Sequence, residues 1–313
     1  MVMRSDSNLA DLRWHAGGLN NGLIFGATRF LVTHLPRACS YAIGDAGTWI
    51  AFHTIRGGTD ALVANLRVVR PGASERDLRA LARLTYRSYA RDTIDFIRSI
   101  EMSASRIAPM LARYDHSPLD DLRRPGRGVI IVGGHFGNWE FGGVALRLLH
   151  GLPLAVVGKS EASAAVGAIR RRMRESLGIE TLEIGQMLET ALQIRRHLSG
   201  NGCVAMLLDR HIGRDQVMVS FFGRPTSFLR TPAMIASLSG APMLPAFMIR
   251  QADGRFIGEF GDPIVVEAAG RVDEAVHAAT QNFASQLERR IRAYPHLWYQ
   301  FYRYWDAAGG ENG

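Results

Sequence analysis

Cysteine, lysine and long apolar runs are all scarce in this sequence. Its two cysteines, Cys39 and Cys203, are too few for a disulfide framework or a cysteine-based metal cluster. Their scarcity is typical of a protein that folds in a reducing compartment. Lys159 is the only lysine, so arginine supplies nearly all of the positive charge. A GC-rich genome would produce the same preference, and we therefore do not interpret it as function.

The apolar runs are too short to predict a membrane-spanning helix. Residues 1–15 are polar and charged, which argues against a signal peptide. The apolar stretch that follows never reaches the roughly 20 uninterrupted residues of a spanning helix. It is interrupted by Arg29, His34, Pro36 and Arg37. The segments 23–32 and 41–52 instead predict helices with one dominant apolar face, which occur in protein cores and at membrane interfaces.

Several catalytic motifs are also missing. The sequence has no Gly-x-Ser-x-Gly elbow, no phosphate-binding loop with Gly-Lys-Ser/Thr and no His-Glu-x-x-His motif. Gly133, Gly134 and Gly137 follow a predicted strand, but they do not have the Gly-x-Gly-x-x-Gly spacing, and the histidine between them would obstruct a pyrophosphate. A nucleotide-dependent enzyme or methyltransferase is therefore only a minor alternative.

The formal net charge of +8 points to an anionic partner. That partner is nucleic acid, a membrane surface or a phosphorylated substrate. A non-catalytic protein that binds nucleic acid or an anionic membrane thus remains open on charge alone.

The chain divides into a helical part and an alternating part. Residues 1–125 predict a helical N-terminal region, and Pro118 with the segment 123–128 marks its end. Residues 126–313 predict an α/β region, which we expect to form one continuous domain with the first. The predicted strands are 128–134, 153–158, 180–184, 203–208, 217–222, 243–250 and a pair within 255–266. The predicted helices are 138–149, 162–177, 186–199, 231–239 and 272–293. Such alternation predicts an α/β fold with a mixed, largely parallel central sheet flanked by helices.

The most informative stretch lies where the first strand of this sheet gives way to a helix. The apolar run 129–132 ends in two glycines, His135 follows in the turn, and Glu140 lies about one helical turn later. A histidine acts as a base when a partner on one ring nitrogen fixes its tautomer, and Glu140 can be that partner. Amides at the helix start are candidate donors to an oxyanion. A histidine and a glutamate that merely cap the helix are the alternative.

Six blocks in order, from about residue 20 to 305, carry a resemblance to a known family. They are 64–67 (ANLR), 87–91 (RSYAR), 135–140, 174–178 (RESLG), 208–210 leading to 219–223, and 294–298 (YPHLW). This arrangement resembles the lysophospholipid acyltransferase superfamily, whose signature is His, four residues, then Asp or Glu. More narrowly it resembles the bacterial lipid A lauroyl/myristoyl and phosphatidylinositol mannoside acyltransferases, and RSYAR and RESLG are closer to the latter.

The resemblance implies roles for individual residues. His135 and Glu140 would be the catalytic pair, acting by direct general-base attack without an acyl-enzyme, a cofactor or a metal. Arg174 matches the family arginine before Leu-Gly and would bind a phosphate or the thioester oxyanion. Asp209 matches a second acidic site, which would hold an acceptor hydroxyl or an arginine. Arg210 and Lys159 are further substrate-binding candidates. A solvated helix face for the arginine run 170–174, and an ordinary strand-end turn for Asp209, are the structural alternatives.

The resemblance also implies partners and a location. The donor would be acyl-CoA or acyl carrier protein, and the acceptor an anionic glycolipid of the phosphatidylinositol mannoside or lipid A type. We expect the protein to lie on the cytoplasmic face of the inner membrane as a peripheral or monotopic protein that contacts an anionic surface and no nucleic acid. The aromatic segment 298–305 would pack on the sheet or anchor at the headgroup layer.

Overall fold

The computed structural model of the chain describes residues 22–158, 164–183, 187–211, 213–267 and 270–305. The first part is helical, as predicted. Its helices are α1 (Gly22–His34), α2 (Arg37–Thr54), α3 (Arg56–Val69), α4 (Glu75–Ser99) and α5 (Ala104–Ile107). Ser74 caps the N-terminus of α4, since its side chain accepts a hydrogen bond from the backbone N–H of Asp77 at 3.2 Å.

The rest of the chain alternates between strands and helices. The strands are β1 (Leu111–Tyr114), β2 (Val129–Gly133), β3 (Leu154–Gly158), β4 (Ile179–Glu183), β5 (Cys203–Leu207), β6 (Val217–Phe221), β7 (Arg224–Phe228), β8 (Met243–Arg250) and β9 (Phe256–Phe260). The helices are α6 (Ser117–Arg123), α7 (Trp139–His150), α8 (Ala164–Ser176), α9 (Met187–Ser199), α10 (Thr231–Ser239) and α11 (Val272–Ala293).

Seven of the strands form one sheet, in the order β1-β9-β8-β2-β5-β3-β4. All neighbours are parallel except β8 and β9, and β6 and β7 form a separate antiparallel hairpin. The predicted α/β fold with a largely parallel mixed sheet is therefore confirmed.

The central strand β2 explains why both faces of the sheet are covered. All five of its residues are buried. Val129 and Ile131 pack into the cluster that contains Leu146 of α7, whereas Ile130 and Val132 pack on the opposite face with Leu287 of α11. Because side chains alternate across a strand, a continuous apolar run buries both faces.

Two strands were not predicted. The strand β1 lies within residues 1–125, which the sequence predicted to be helical, and it is held by its parallel partner β9. The strand β7 directly follows the predicted strand 217–222 and pairs back on it. Within 255–266 only β9 is a strand, and Ile264 makes a single bridge to Met243. Tertiary pairing rather than local pattern decides these short elements.

Every helix in the described part of the chain is too short or too polar to span a bilayer.

Candidate active site

The turn between β2 and α7 is rigidly built. Gly137 has φ of +63°, and a Cβ there would lie 2.1 Å from the carbonyl oxygen of Met248, so only glycine fits. The next residue, Asn138, caps α7 by accepting a hydrogen bond from the backbone N–H of Phe141 at 3.1 Å. These constraints fix the position of His135, which lies between the strand and the helix.

Asp209 is the partner of the His135 ring at Nδ1. The distance from Nδ1 to Asp209 Oδ1 is 2.7 Å, and the backbone N–H of His135 lies 3.0 Å from both carboxylate oxygens. Burial alone would raise the pKa of this fully buried aspartate. The charge and hydrogen bonds of His135, together with Arg210, instead lower it. An ionised Asp209 only accepts hydrogen bonds, so Nδ1 carries the proton and the tautomer is fixed.

Two further donors hold the Asp209 carboxylate from the C-terminal segment. Gln300 Nε2 donates to Oδ2 at 2.8 Å and Trp298 Nε1 donates to the same oxygen at 3.2 Å. Tyr304 donates its hydroxyl to the Asp209 backbone carbonyl at 2.6 Å. Neither Gln300 nor Tyr304 was predicted from the sequence to be a site residue. A lone amide within an aromatic run was the available signal, because a buried polar side chain requires a partner.

Asn65 of α3 holds that C-terminal segment in place. Its Nδ2 donates to the carbonyl oxygens of Gln300 and Tyr302 at 3.0 and 2.7 Å, and its Oδ1 accepts from the Tyr304 backbone at 3.0 Å. The predicted block 64–67 thus acts on the site through the backbone of residues 300–304.

Glu140 forms an ion pair with Arg174. The two side chains are only 16% and 14% exposed, and Arg174 Nε lies 3.3 Å from Glu140 Oε2. Burial would raise the pKa of Glu140, but the charge of Arg174, its hydrogen bond and the charge of Arg170 lower it. The structure therefore brings Glu140 and Arg174 together, with the Glu140 carboxylate bound to the Arg174 guanidinium. An orienting role of Glu140 toward His135 stays a prediction.

The remaining predicted site residues are placed as follows. Arg210 Nε donates to Gln300 Oε1 and its Nη2 to the carbonyl of Tyr299, both at 2.9 Å, so it braces the same C-terminal segment. Lys159 lies outside the described residues. The segment 221–223 is an aromatic cluster behind Asp209, with Phe221 and Phe222 packed on Trp298.

A cavity of about 290 Å³ runs beneath α7, and His135, Glu140 and Arg174 line it. The His135 ring lies 5.4 Å from the ring of Trp139, the first residue of α7. Tyr114, which also lines the cavity, lies 5.5 Å from the ring of His150, the last residue of that helix. Between them the walls are mainly apolar: Ile131, Val144, Leu146, Leu154, Val156, Ile179, Ala205 and Phe260. The cavity therefore extends from His135 along most of α7.

This arrangement suits proton transfer next to an apolar ligand. A histidine with a fixed tautomer opens into the cavity, and an arginine that can stabilise negative charge lies in the same space. The described residues that line the cavity include no serine and no cysteine. In the described part of the chain, no three histidine, cysteine or acidic side chains approach closely enough to hold a metal ion.

The sequence of this chain is similar to those of known proteins. The family described as bacterial lipid A biosynthesis acyltransferase matches residues 22–307. A phosphatidylinositol mannoside acyltransferase from Mycolicibacterium smegmatis is 29% identical over 294 residues, which cover 93% of each chain. A protein of the same name from Mycobacterium tuberculosis (strain CDC 1551) is 29% identical over 90% of this chain and 87% of its own. The family match, residues 22–307, includes all of the described residues.

Proposed function

Because this chain belongs to the bacterial lipid A biosynthesis acyltransferase family, we propose that it moves a fatty acyl chain from a thioester to a glycolipid hydroxyl. The chain is an acyltransferase. The observation that carries the finer proposal is the bond from Asp209 to His135, a histidine that lines the long apolar cavity.

The chemical step follows from the ring geometry. The acceptor hydroxyl gives its proton to His135 Nε2 while its oxygen attacks the thioester carbonyl carbon. The resulting tetrahedral intermediate collapses as the carbon–sulfur bond breaks, and the proton on His135 passes to the departing thiolate. Asp209, bonded at Nδ1, stabilises the imidazolium that forms between these events. The ester bond is thus made directly, without an acyl-enzyme.

Arg174 is the favoured group for stabilising the oxyanion. The backbone N–H groups of Gly137, Asn138 and Phe141 already donate to protein oxygens at 2.8, 2.9 and 3.1 Å. Those three amides of the helix start therefore do not serve the intermediate. Arg174 has a permanent charge in the same cavity, and Glu140 restrains its guanidinium there.

The apolar cavity fits the acyl chain of the donor. The 12 residues of α7 span about 18 Å. An extended chain advances about 1.3 Å per carbon when its bonds are about 1.5 Å long, so a chain of about 14 carbons matches the full length of this helix. Both acyl-CoA and acyl carrier protein can present such a chain.

The relatives' names support an anionic glycolipid as the acceptor. The two mycobacterial relatives are named for phosphatidylinositol mannoside, whereas the family is described by lipid A, so both acceptor types are tested side by side. The assay supplies myristoyl-CoA or myristoyl carrier protein with each lipid and identifies the product by mass spectrometry. If neither lipid is acylated with either donor, the proposed acceptor class is wrong.

Rapid quench tests the direct attack. With a labelled thioester and acceptor, we expect no label on the denatured protein at any time. A stoichiometric burst of labelled protein would instead establish a covalent acyl-enzyme and exclude this mechanism.

An exposed apolar face on α1 and α2 supports binding to the membrane that holds the acceptor. Six large apolar side chains there are between 41% and 62% exposed: Phe30, Leu31, Ile43, Trp49, Ile50 and Ile55, the last directly after α2. Large exposed apolar patches mark interaction sites, and basic residues add attraction to an anionic surface that salt screens.

Liposome sedimentation tests this membrane proposal. We expect binding to anionic liposomes that high salt weakens without abolishing, and much poorer binding to neutral liposomes. Trp49→Ser with Ile50→Ser should reduce binding, whereas Leu238→Ser, at an exposed leucine of α10, should not. Protein that stays in the supernatant with anionic liposomes at low salt would refute membrane docking.

A further inference from the structure

A second cavity, separate in its lining from the one at His135, lies between α3 and the C-terminal segment. Its volume is about 390 Å³, within the range of small-ligand sites. It is lined by Ala64, Asn65, Arg67, Val68, Pro71, Phe222, Arg224, Arg303 and Trp305. Three stretches distant in sequence meet here, and none of these residues takes part in the proposed reaction. We call it the arginine pocket.

Arginine is the charged residue of the described lining of the arginine pocket. The lining residues that the structure describes include Arg67, Arg224 and Arg303 and no carboxylate. Two more arginines lie beside it, since Arg292 stands 4.7 Å over the Phe222 ring and Arg70 donates to the Arg292 carbonyl at 2.9 Å.

Among the described residues, two carboxylates pair with members of this arginine group. Glu75 pairs with Arg67 at 2.5 Å and Glu288 with Arg292 at 2.5 Å. The Arg67–Glu75 pair is about half exposed on both sides, so it contributes little stability and can exchange with another anion. Arg67 can therefore turn its guanidinium from Glu75 to a bound anion.

The arginine pocket has a defined shape because its floor is rigid. Trp305 donates its indole N–H to Thr226 Oγ1 at 3.1 Å and packs on Trp298 and Phe222. Asn65 fixes residues 300–304 from the other side. The same Trp298 donates to Asp209, so an aromatic layer separates this pocket from the catalytic pair.

We propose that the arginine pocket binds a phosphate ester. Guanidinium groups recognise phosphate oxygens with short, charge-assisted hydrogen bonds, and several converge here above an apolar floor that would accept the esterified group. The site is distinct from the acyl cavity, and the proposal does not depend on which reaction the enzyme catalyses.

Equilibrium binding to the full-length chain tests the proposal in two arms. The soluble probe is glycerol 3-phosphate, with glycerol as the uncharged control, followed by calorimetry and phosphorus NMR line width. The membrane arm compares vesicles of phosphatidylglycerol with vesicles of phosphatidylcholine. The variants are Arg224→Gln and Arg303→Gln. The matched control is Arg124→Gln. Arg124 is exposed, follows α6 directly and pairs with Asp121 of that helix.

We expect Arg224→Gln and Arg303→Gln each to weaken binding about tenfold, whereas Arg124→Gln leaves it unchanged. A loss in the soluble arm assigns the site to phosphate esters in general, and a loss only with vesicles assigns it to a lipid headgroup. Arg224→Lys should retain part of the affinity, which separates lost charge from misfolding. The proposal is overturned if neither probe binds. It is also overturned if both variants bind both probes as tightly as the wild type does. Loss of acyl carrier protein binding without loss of phosphate binding would overturn it too, because that identifies a protein partner instead.

Discussion

Asp92 and Asp209 are both buried carboxylates, but their pKa values move in opposite directions. Burial raises the pKa of Asp92 to about 6 despite Arg250 and a hydrogen bond from Tyr299, and the nearby charge of Asp95 adds to the rise. Burial would also raise the pKa of Asp209, but His135 and Arg210 lower it. One extended segment serves both: Trp298 and Gln300 donate to Asp209, and Tyr299 between them donates to Asp92 at 2.6 Å.

The surroundings of the two carboxylates explain the difference. Arg250 is shared by Asp92 and Asp95 at 2.7 Å each, and Arg37 and Tyr41 complete this cluster, which joins α2, α4 and β8. Its charges balance internally and it holds the helical part on the sheet. Asp209 instead faces one titratable ring that lines a cavity. Burial of charge alone therefore does not mark the active site, whereas a buried charge directed at a group lining a cavity does.

The largest effect on activity should come from replacing His135, the proposed base. His135→Ala removes the base, so transfer should fall by about 10²–10⁴-fold with little change in thermal unfolding. Initial rates and melting curves measure both. His277→Ala, at an exposed histidine of α11, is the matched control and should be active. Retention of more than roughly a tenth of the activity by His135→Ala would rule out His135 as the base.

A pair of variants decides which carboxylate orients the ring. Asp209→Asn preserves size but removes the charge that holds Nδ1–H, and we expect a loss of kcat comparable to that of His135→Ala. Glu140→Gln should cost less, because the amide can still bond Arg174. Steady-state kinetics with both variants gives the order. A larger loss in Glu140→Gln would favour Glu140 as the residue that orients His135.

The largest effect on stability should come from the closed cluster. Arg250→Met leaves Asp92 and Asp95 buried with their shared cation removed, and breaking such a pair costs about 3–5 kcal/mol. Urea unfolding measures this loss. Arg113→Met is the control, since its pair with Glu259 is exposed on the arginine side, and it should cost less than about 1 kcal/mol. Equal losses would mean that the Arg250 cluster does not hold the two parts together.

The two carboxylates also show how far sequence reasoning reaches. The strand–turn–helix pattern predicted where His135 and Glu140 lie, and the alternation of strands and helices predicted the sheet. Both are local signals, made of periodicity and glycines. Arg174 and Asp209 were found as candidates, but which residue each of them pairs with was not, since the bond from His135 to Asp209 joins residues 74 positions apart. The Arg250 cluster has no local pattern in the sequence, and β1 is a strand only because β9 pairs with it.

The smallest predicted effect is the change in the free energy of unfolding with pH that the raised pKa of Asp92 causes. Because the pKa of Asp92 is raised to about 6 in the folded chain, the fold binds its proton more tightly than the unfolded chain does. The stability that this proton provides is full below the ordinary pKa of aspartate and is lost as pH rises through about 6. Wild type should therefore lose about 1 kcal/mol relative to Asp92→Asn between pH 5 and pH 7. Urea unfolding of both proteins at the two values gives this difference, in which the carboxylates of lowered pKa cancel. An unchanged difference would place Asp92 among the fully ionised groups, and the contrast with Asp209 would then rest on geometry alone.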